Sequence, residues 1–395
     1  MEMKPVICCI GYNRPKSLER LLQSVGNAIY DDNDITLIIS IDECPDSNKV
    51  EEVAKAFEWT HGTKEILRHS KRLGLKEHCL KCGDLSVKYG SLIFLEDDVV
   101  VAPGYYRFVK KNIEYYCDNE NIIGISLYAE KWVSDLKVDF TPAHNGYDVF
   151  CTQRELSHGQ CWIGHSWKKF REWYNQHENS IPEYNNKIPP CVYQWGADTS
   201  WSKYISHFMV ENDLYYVCPY HSYATNMSEV GIHASVTTDI CQVPVSESIS
   251  TDFRLGNFRD LIKYDAFYER IFLCPEIEGI PIEDICMDLN GQKYDWNGCK
   301  YLMTTQKFNY KIIKEFGVNM EPIESNILYQ VKGRGIRLYK IPGSYVSPTS
   351  FDKMQTFEFS DERLAHTLNR FPISFLISNL TMRIGRKLKK HIIRS

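Results

Sequence analysis

Apolar positions in the first third of the chain follow two alternating rhythms. Short apolar runs at 5–10, 35–41, 91–95 and 122–127, with a weaker one at 66–69, read as strands. Between them, 15–29 carries helical spacing through Leu18, Leu21, Leu22 and Val25. Further helices fit 48–57, with Asp46 or Ser47 as the cap, and 75–89 and 105–116. This alternation predicts an α/β fold: a mostly parallel sheet with helices on both faces. In such sheets ligands bind beyond the carboxyl ends of the strands, so the residues there carry the chemistry.

Three of those ends are polar in kind. The first strand runs into Gly11-Tyr12-Asn13-Arg14-Pro15, the second into Asp42-Glu43, and the fourth into Glu96-Asp97-Asp98. Neither Gly-x-Gly-x-x-Gly nor the Gly-Lys phosphate loop is present, so dinucleotide and P-loop chemistry are not indicated. Three neighbouring carboxylates after a buried strand raise one another's pKa, and burial adds to the cost. A divalent cation resolves this. Mg²⁺ and Mn²⁺ favour oxygen ligands, and Mg²⁺ commonly takes one or two carboxylates plus substrate phosphates. The cluster therefore predicts Mn²⁺ or Mg²⁺ bridging to a diphosphate. The alternative is a solvated acidic turn, against which the apolar 92–95 run weighs.

Net charge is −5, from 46 basic and 51 acidic residues. That excludes the electrostatic footprint of a nucleic-acid binder. Aromatics reach 13%, including 25 Tyr and 8 Trp, which suits sugar or nucleotide contact as well as an ordinary core. The 14 Cys are scattered and the N-terminus leads into a strand with no signal peptide, so reduced thiols in a cytoplasmic protein are expected. Cys79-x-x-Cys82 lacks the second pair of a zinc site. No apolar run approaches a membrane span.

The 10–15 segment, Ser40-Ile41-Asp42-Glu43-Cys44 and Leu95-Glu96-Asp97-Asp98, followed by Pro103-Gly104-Tyr105-Tyr106, together resemble the GT-A nucleotide-sugar glycosyltransferases. The likeness is to the N-acetylglucosaminyltransferases that begin complex N-glycans and to bacterial polysaccharide glycosyltransferases, and it covers about residues 4–236. It implies that Asp98 coordinates the metal, that Asp97 contacts the donor ribose or sugar, and that Glu96 lies near the transferred sugar. Tyr12 and Arg14 would line the nucleotide pocket and Asp42 would hydrogen-bond the uracil. The stretch from Arg72 to Lys76 matches the Asn-x-Gly-Leu region beside the nucleotide, with Arg72 replacing its polar residue.

Downstream, residues 159–167 resemble the acceptor-side segment of the bacterial branch, where Trp162 would offer a flat face to a sugar or else pack in the core. Residues 194–201 resemble the helix start that carries the general base. Asp198 is that candidate, with a helix N-cap as its other reading. Asn226, Gly231 and His233 meet the pattern that closes the resemblance, and His233 would be the second protein ligand of the metal, or else an ordinary surface histidine.

The expected organisation is a GT-A domain over 1–240, an accessory region over 241–370 with strand-like alternation and no chemical motif, and a basic amphipathic tail over 371–395. The tail joins Phe375, Leu376, Ile377, Leu380, Met382, Ile384 and Leu388 to six bases and no acid. That composition suits an interfacial helix on an anionic membrane, or a basic disordered tail. The sequence thus points to a metal-dependent, inverting transferase using a UDP-sugar and a saccharide or lipid-linked saccharide acceptor, cytoplasmic and peripheral on the membrane. A sugar nucleotidyltransferase and a catalytically silent saccharide-binding protein are the competing readings.

Overall fold

The computed structural model describes residues 4–178, 180, 183–231, 238–272, 274–296, 298–342, 372–378 and 380–382. It opens with β1 (Val6–Gly11), α1 (Pro15–Gly26), β2 (Leu37–Ile41), α2 (Ser47–Ala56), β3 (Lys64–Arg68) and α3 (Leu75–Tyr89). β4 (Ser91–Leu95), β5 (Val99–Val101), α4 (Tyr105–Tyr116) and β6 (Ile122–Ser126) follow. All nine elements expected here form, and the short β5 is added. Pro15 sits in the first turn of α1, where its missing N–H costs nothing. Leu18, Leu21, Leu22 and Val25 are buried on one face of that helix, as their spacing requires.

Next come β7 (Trp132–Val133), β8 (Val138–Asp139), β9 (Val149–Thr152), β10 (Gln160–Ile163), α5 (Gly164–His177), α6 (Pro190–Gln194) and α7 (Ser202–Glu211). β11 (Tyr215–Pro219), β12 (Ala224–Asn226), β13 (Lys263–Tyr264) and β14 (Arg270–Ile271) complete the larger body. Its ten-stranded sheet has the order β14-β13-β9-β11-β6-β10-β4-β1-β2-β3. The block β4-β1-β2-β3 is wholly parallel, so the carboxyl ends of β1, β2 and β4 share one edge. β10 runs antiparallel to both β4 and β6, and its first residue, Gln160, therefore opens on that same edge.

Strand alternation divides the core into two layers. Ile7 and Cys9 of β1 face a cluster with α1 and α4, while Val6, Cys8 and Ile10 face one with α3, α5 and α7. α3 and α5 approach closely at Gly83, where a Cβ would stand 1.9 Å from the Trp167 ring. Only glycine fits this contact.

The remainder forms a smaller four-stranded sheet with its own apolar core. After β15 (Glu276–Ile277) and β16 (Ile280–Pro281), its strands are β17 (Ile285–Asp288), β18 (Tyr301–Thr304), β19 (Lys311–Phe316) and β20 (Ile336–Lys340), in the order β17-β18-β20-β19. The larger sheet continues past residue 240. β13 pairs in parallel with β9 through Lys263↔Cys151 and Tyr264↔Thr152, which carries the larger sheet on to Ile271. Two-residue strands are too short to register as a period. The Tyr264 hydroxyl donates to Glu324 at 2.7 Å and Lys293 pairs with Asp265 at 2.7 Å, tying the smaller sheet to the larger body.

Within the tail, residues 373–378 are helical, and Ile373, Phe375, Ile377, Leu380 and Met382 are exposed. No helix among the described residues is long and apolar enough to cross a membrane. All fourteen cysteines are free thiols.

Candidate active site

At the carboxyl edge of the parallel block lies a cleft of about 290 Å³. Tyr12, Arg14, Asp42, Glu96, Asp97, Asp98 and Asp198 all line it, so seven residues singled out from the sequence come together. Lys76 and Trp162 do not. His233 lies outside the described residues, and the structure does not place it.

The acidic turn after β4 is wired on two sides. From β1, Arg14 donates through Nη2 and Nε to the two oxygens of Asp97, the latter bond 3.3 Å long, and through Nη1 to Asp98 Oδ2 at 3.1 Å. From β12, which pairs antiparallel with β5, Asn226 donates to Asp98 Oδ1 at 2.9 Å, and the Met227 amide donates to the Asp98 carbonyl at 2.8 Å. Burial pushes Asp97 up to about 6 even though Arg14 pulls the other way. Glu96 rises well above the usual carboxylate range through burial and through its neighbours Asp98 and Asp97. The cluster is short of positive charge.

The carboxylates of Asp97 and Asp98 already converge on a single cationic group, the Arg14 guanidinium, and they are all-oxygen donors. They fit a divalent cation held by one or two carboxylates and completed by phosphate oxygens. Among the described residues, no cluster of three or more His, Cys, Asp or Glu stands ready to hold a metal on protein ligands alone.

Asp42, only 3% exposed, accepts from the amides of Leu73 at 2.7 Å and Gly74 at 2.9 Å, as well as from Glu43. Its carboxylate thus fastens the loop ahead of α3. That loop places the Arg72 guanidinium over the Tyr12 ring at 5.3 Å, giving the cleft a cationic, aromatic wall. His78 also reaches the cleft, hydrogen-bonded to Ser40 at 2.8 Å. So does Glu229, which accepts from Ser17 at 2.7 Å and Arg20 at 2.6 Å. No motif marked His78 or Glu229, because each arrives by folding from a helix face or a loop. Arg72 stood in a recognised stretch but as a departure from its pattern.

Asp198 lies exposed in a turn at 197–199. It is not a cap, for the N-cap position of α7 is Trp201. Lys76 donates to the Ala197 carbonyl at 2.9 Å and faces the Tyr204 ring at 5.4 Å. The Lys76 ammonium thus holds the Asp198 turn against α3. The expectation of a sugar face on Trp162 is corrected. This residue is 1% exposed, stacked between Phe94 and Trp167 with centroids at 4.5 and 4.3 Å, and its indole N–H is bonded to Gln160. As an inward position of the central β10 it has no free face for a sugar. A second hollow of about 350 Å³ adjoins the cleft, sharing Leu75, Glu96 and Thr199 and bounded by Arg154, Glu155 and Trp195.

No protein-family model and no curated protein sequence matches the chain. Several solved structures are similar to it. They include S. aureus TarS 1–349 in complex with UDP-GlcNAc, at 12% identity and TM-score 0.38 over 58% of this chain and 60% of that one. They also include the mannosyltransferase PcManGT from Pyrobaculum calidifontis in complex with GDP-Man and Mn²⁺, at 12% identity and TM-score 0.33 over 55% of each chain. A third is GalNAc-T7 with UDP, GalNAc and Mn²⁺, at 12% identity and TM-score 0.37 over 55% and 42%. The chain spans 60% or less of the length of each of them.

Proposed function

We propose that the protein is a metal-dependent, inverting glycosyltransferase that moves a sugar from a UDP-sugar to a saccharide acceptor. The observation that carries this reading is one cleft holding both a carboxylate pair gathered on a cation, Asp97 and Asp98, and a separate exposed carboxylate, Asp198. A bound Mn²⁺ or Mg²⁺, held by Asp98 and its neighbour, would neutralise charge on the leaving diphosphate. The Tyr12–Arg72 wall would flank the nucleotide, and Asp42 would keep that wall in place. Asp198 would take the proton of the acceptor hydroxyl while its oxygen forms the new bond to the anomeric carbon. The bond to the diphosphate oxygen breaks on the opposite face, and configuration inverts. The adjoining hollow is the natural approach for the acceptor.

A sugar nucleotidyltransferase would be expected to open with a glycine-rich basic loop after its first strand; Tyr12-Asn13-Arg14-Pro15 has no glycine. A silent binding module leaves the exposed Asp198 without a purpose. Titration calorimetry of UDP with and without Mn²⁺ tests the reading: UDP should bind far more tightly with the metal, and equal or absent binding in folded protein would refute it.

The tail supports a place at the membrane, where a lipid-linked acceptor would be met. Five exposed apolar side chains, three of them on the helical 373–378 segment, precede the basic run Arg383, Arg386, Lys387, Lys389, Lys390 and Arg394. Full-length protein should co-sediment with vesicles containing phosphatidylglycerol and lose this in high salt or after truncation at Asn369. Undiminished sedimentation of the truncated protein would remove the tail from the proposal.

A further inference from the structure

Every oxygen of the Asp97–Asp98 pair already has a nitrogen donor. Arg14 supplies three of the four bonds, and Asn226 supplies the last. The two carboxylates are 8% and 15% exposed, while the Arg14 side chain, at 22%, lies nearest the solvent of the three. A divalent cation approaching these oxygens from the cleft meets a guanidinium in its way. Two cations do not share one pair of carboxylates cheaply.

We propose that Arg14 is the resident counter-cation of this pair and yields the place when a divalent cation binds, moving its guanidinium onto the donor diphosphate. This rests on the reading of the cleft as a metal–diphosphate site. Arg14 can move because it stands in the connection between β1 and α1, ahead of the helix, and because its side chain lines the cleft together with Gly231. A Cβ at Gly231 would lie 3.4 Å from Arg14 Nη1, an ordinary contact distance, so Gly231 borders the guanidinium without pressing on it. Glu229 flanks the same cleft and is already engaged by Ser17 and Arg20. A diphosphate offers what Glu229 does not: phosphate oxygens matched to the two-pronged geometry of a guanidinium.

The consequence is coupling. In the free protein Arg14 relieves the repulsion of the acidic turn and holds metal affinity down. With a nucleoside diphosphate present, the guanidinium gains a new anion at the moment the carboxylates are released, so metal and nucleotide strengthen each other's binding, by equal factors. Arg14 acts here as a positioning residue for both.

The test is Mn²⁺ binding read from the electron paramagnetic resonance signal of the free ion, on full-length protein, with and without saturating UDP. The native protein should bind Mn²⁺ weakly alone and more tightly with UDP. Arg14→Gln should bind Mn²⁺ alone about tenfold more tightly, and the enhancement by UDP should shrink by a similar factor. Arg14→Lys, a point charge without the fork, should fall between them. Thermal melting supplies a second measurement: Mn²⁺ without nucleotide should raise the midpoint of Arg14→Gln more than that of the native protein. If the native protein shows Mn²⁺-dependent UDP binding but Arg14→Gln takes up Mn²⁺ no better, or melts with no larger metal shift, the counter-cation role is overturned and the transferase reading stands. If the native protein binds no Mn²⁺ even with UDP, both fall.

Discussion

Asp198→Asn is expected to lower turnover by about 10²- to 10⁴-fold, the range of a lost general base, while Mn²⁺-dependent UDP affinity stays unchanged. The substitution keeps the size and shape of the side chain and removes its capacity to take a proton. It spares the fold for a specific reason. Asp198 is exposed, its carboxylate has no hydrogen-bond partner among the described residues, and the cap position of α7 falls instead at Trp201. The turn itself is held through the Ala197 carbonyl by Lys76, which the substitution leaves in place. Turnover is read as UDP release from a panel of UDP-hexoses and UDP-N-acetylhexosamines, and affinity by calorimetry with UDP. A variant within about tenfold of the parent would move the base elsewhere. Glu155, at the edge of the adjoining hollow, would then be the carboxyl group to examine.

The sequence announces the strand ends well because position in the chain and position in the fold coincide there. β1, β2 and β4 are parallel and buried, so whatever follows each of them must appear at one edge, and Tyr12, Arg14, Asp42 and the 96–98 turn do. It fails where a residue's direction depends on a neighbour far along the chain. Trp162 looks like a sugar platform until β10 inserts between β4 and β6 and turns the ring into the layer with Trp167. Lys76 follows a recognisable loop, yet at the second residue of α3 its ammonium meets a carbonyl more than a hundred residues away. The same holds for Asn226, where the motif suggested proximity and the pairing of β12 with β5 made it a bond to Asp98. The continuation of the larger sheet past residue 240 was not legible because β13 and β14, two residues each, join it through partners rather than through any pattern of their own.

Asp98→Asn should cost at least about 10²-fold in UDP affinity in the presence of Mn²⁺ and leave metal-free UDP binding nearly untouched. The amide retains an oxygen that can accept from Asn226, so the link between the acidic turn and β12 survives. What it loses is the charge, and its nitrogen would face the Arg14 guanidinium, donor against donor. With one carboxylate neutralised, a bound cation would keep only Asp97 of the pair beside the diphosphate oxygens, a set with less negative charge and so weaker for Mg²⁺ or Mn²⁺. Stability should move far less than function. Asp98 is among the causes that raise Glu96, after burial, and it also raises Asp97, so removing its charge relieves two buried neighbours. The metal-free melting midpoint should therefore change little, the relief of Glu96 and Asp97 set against the lost Arg14–Asp98 pair, while metal-dependent binding collapses. A variant that unfolds, or that retains its Mn²⁺-dependent UDP affinity, would show that Asp98 serves the architecture of the turn rather than the metal.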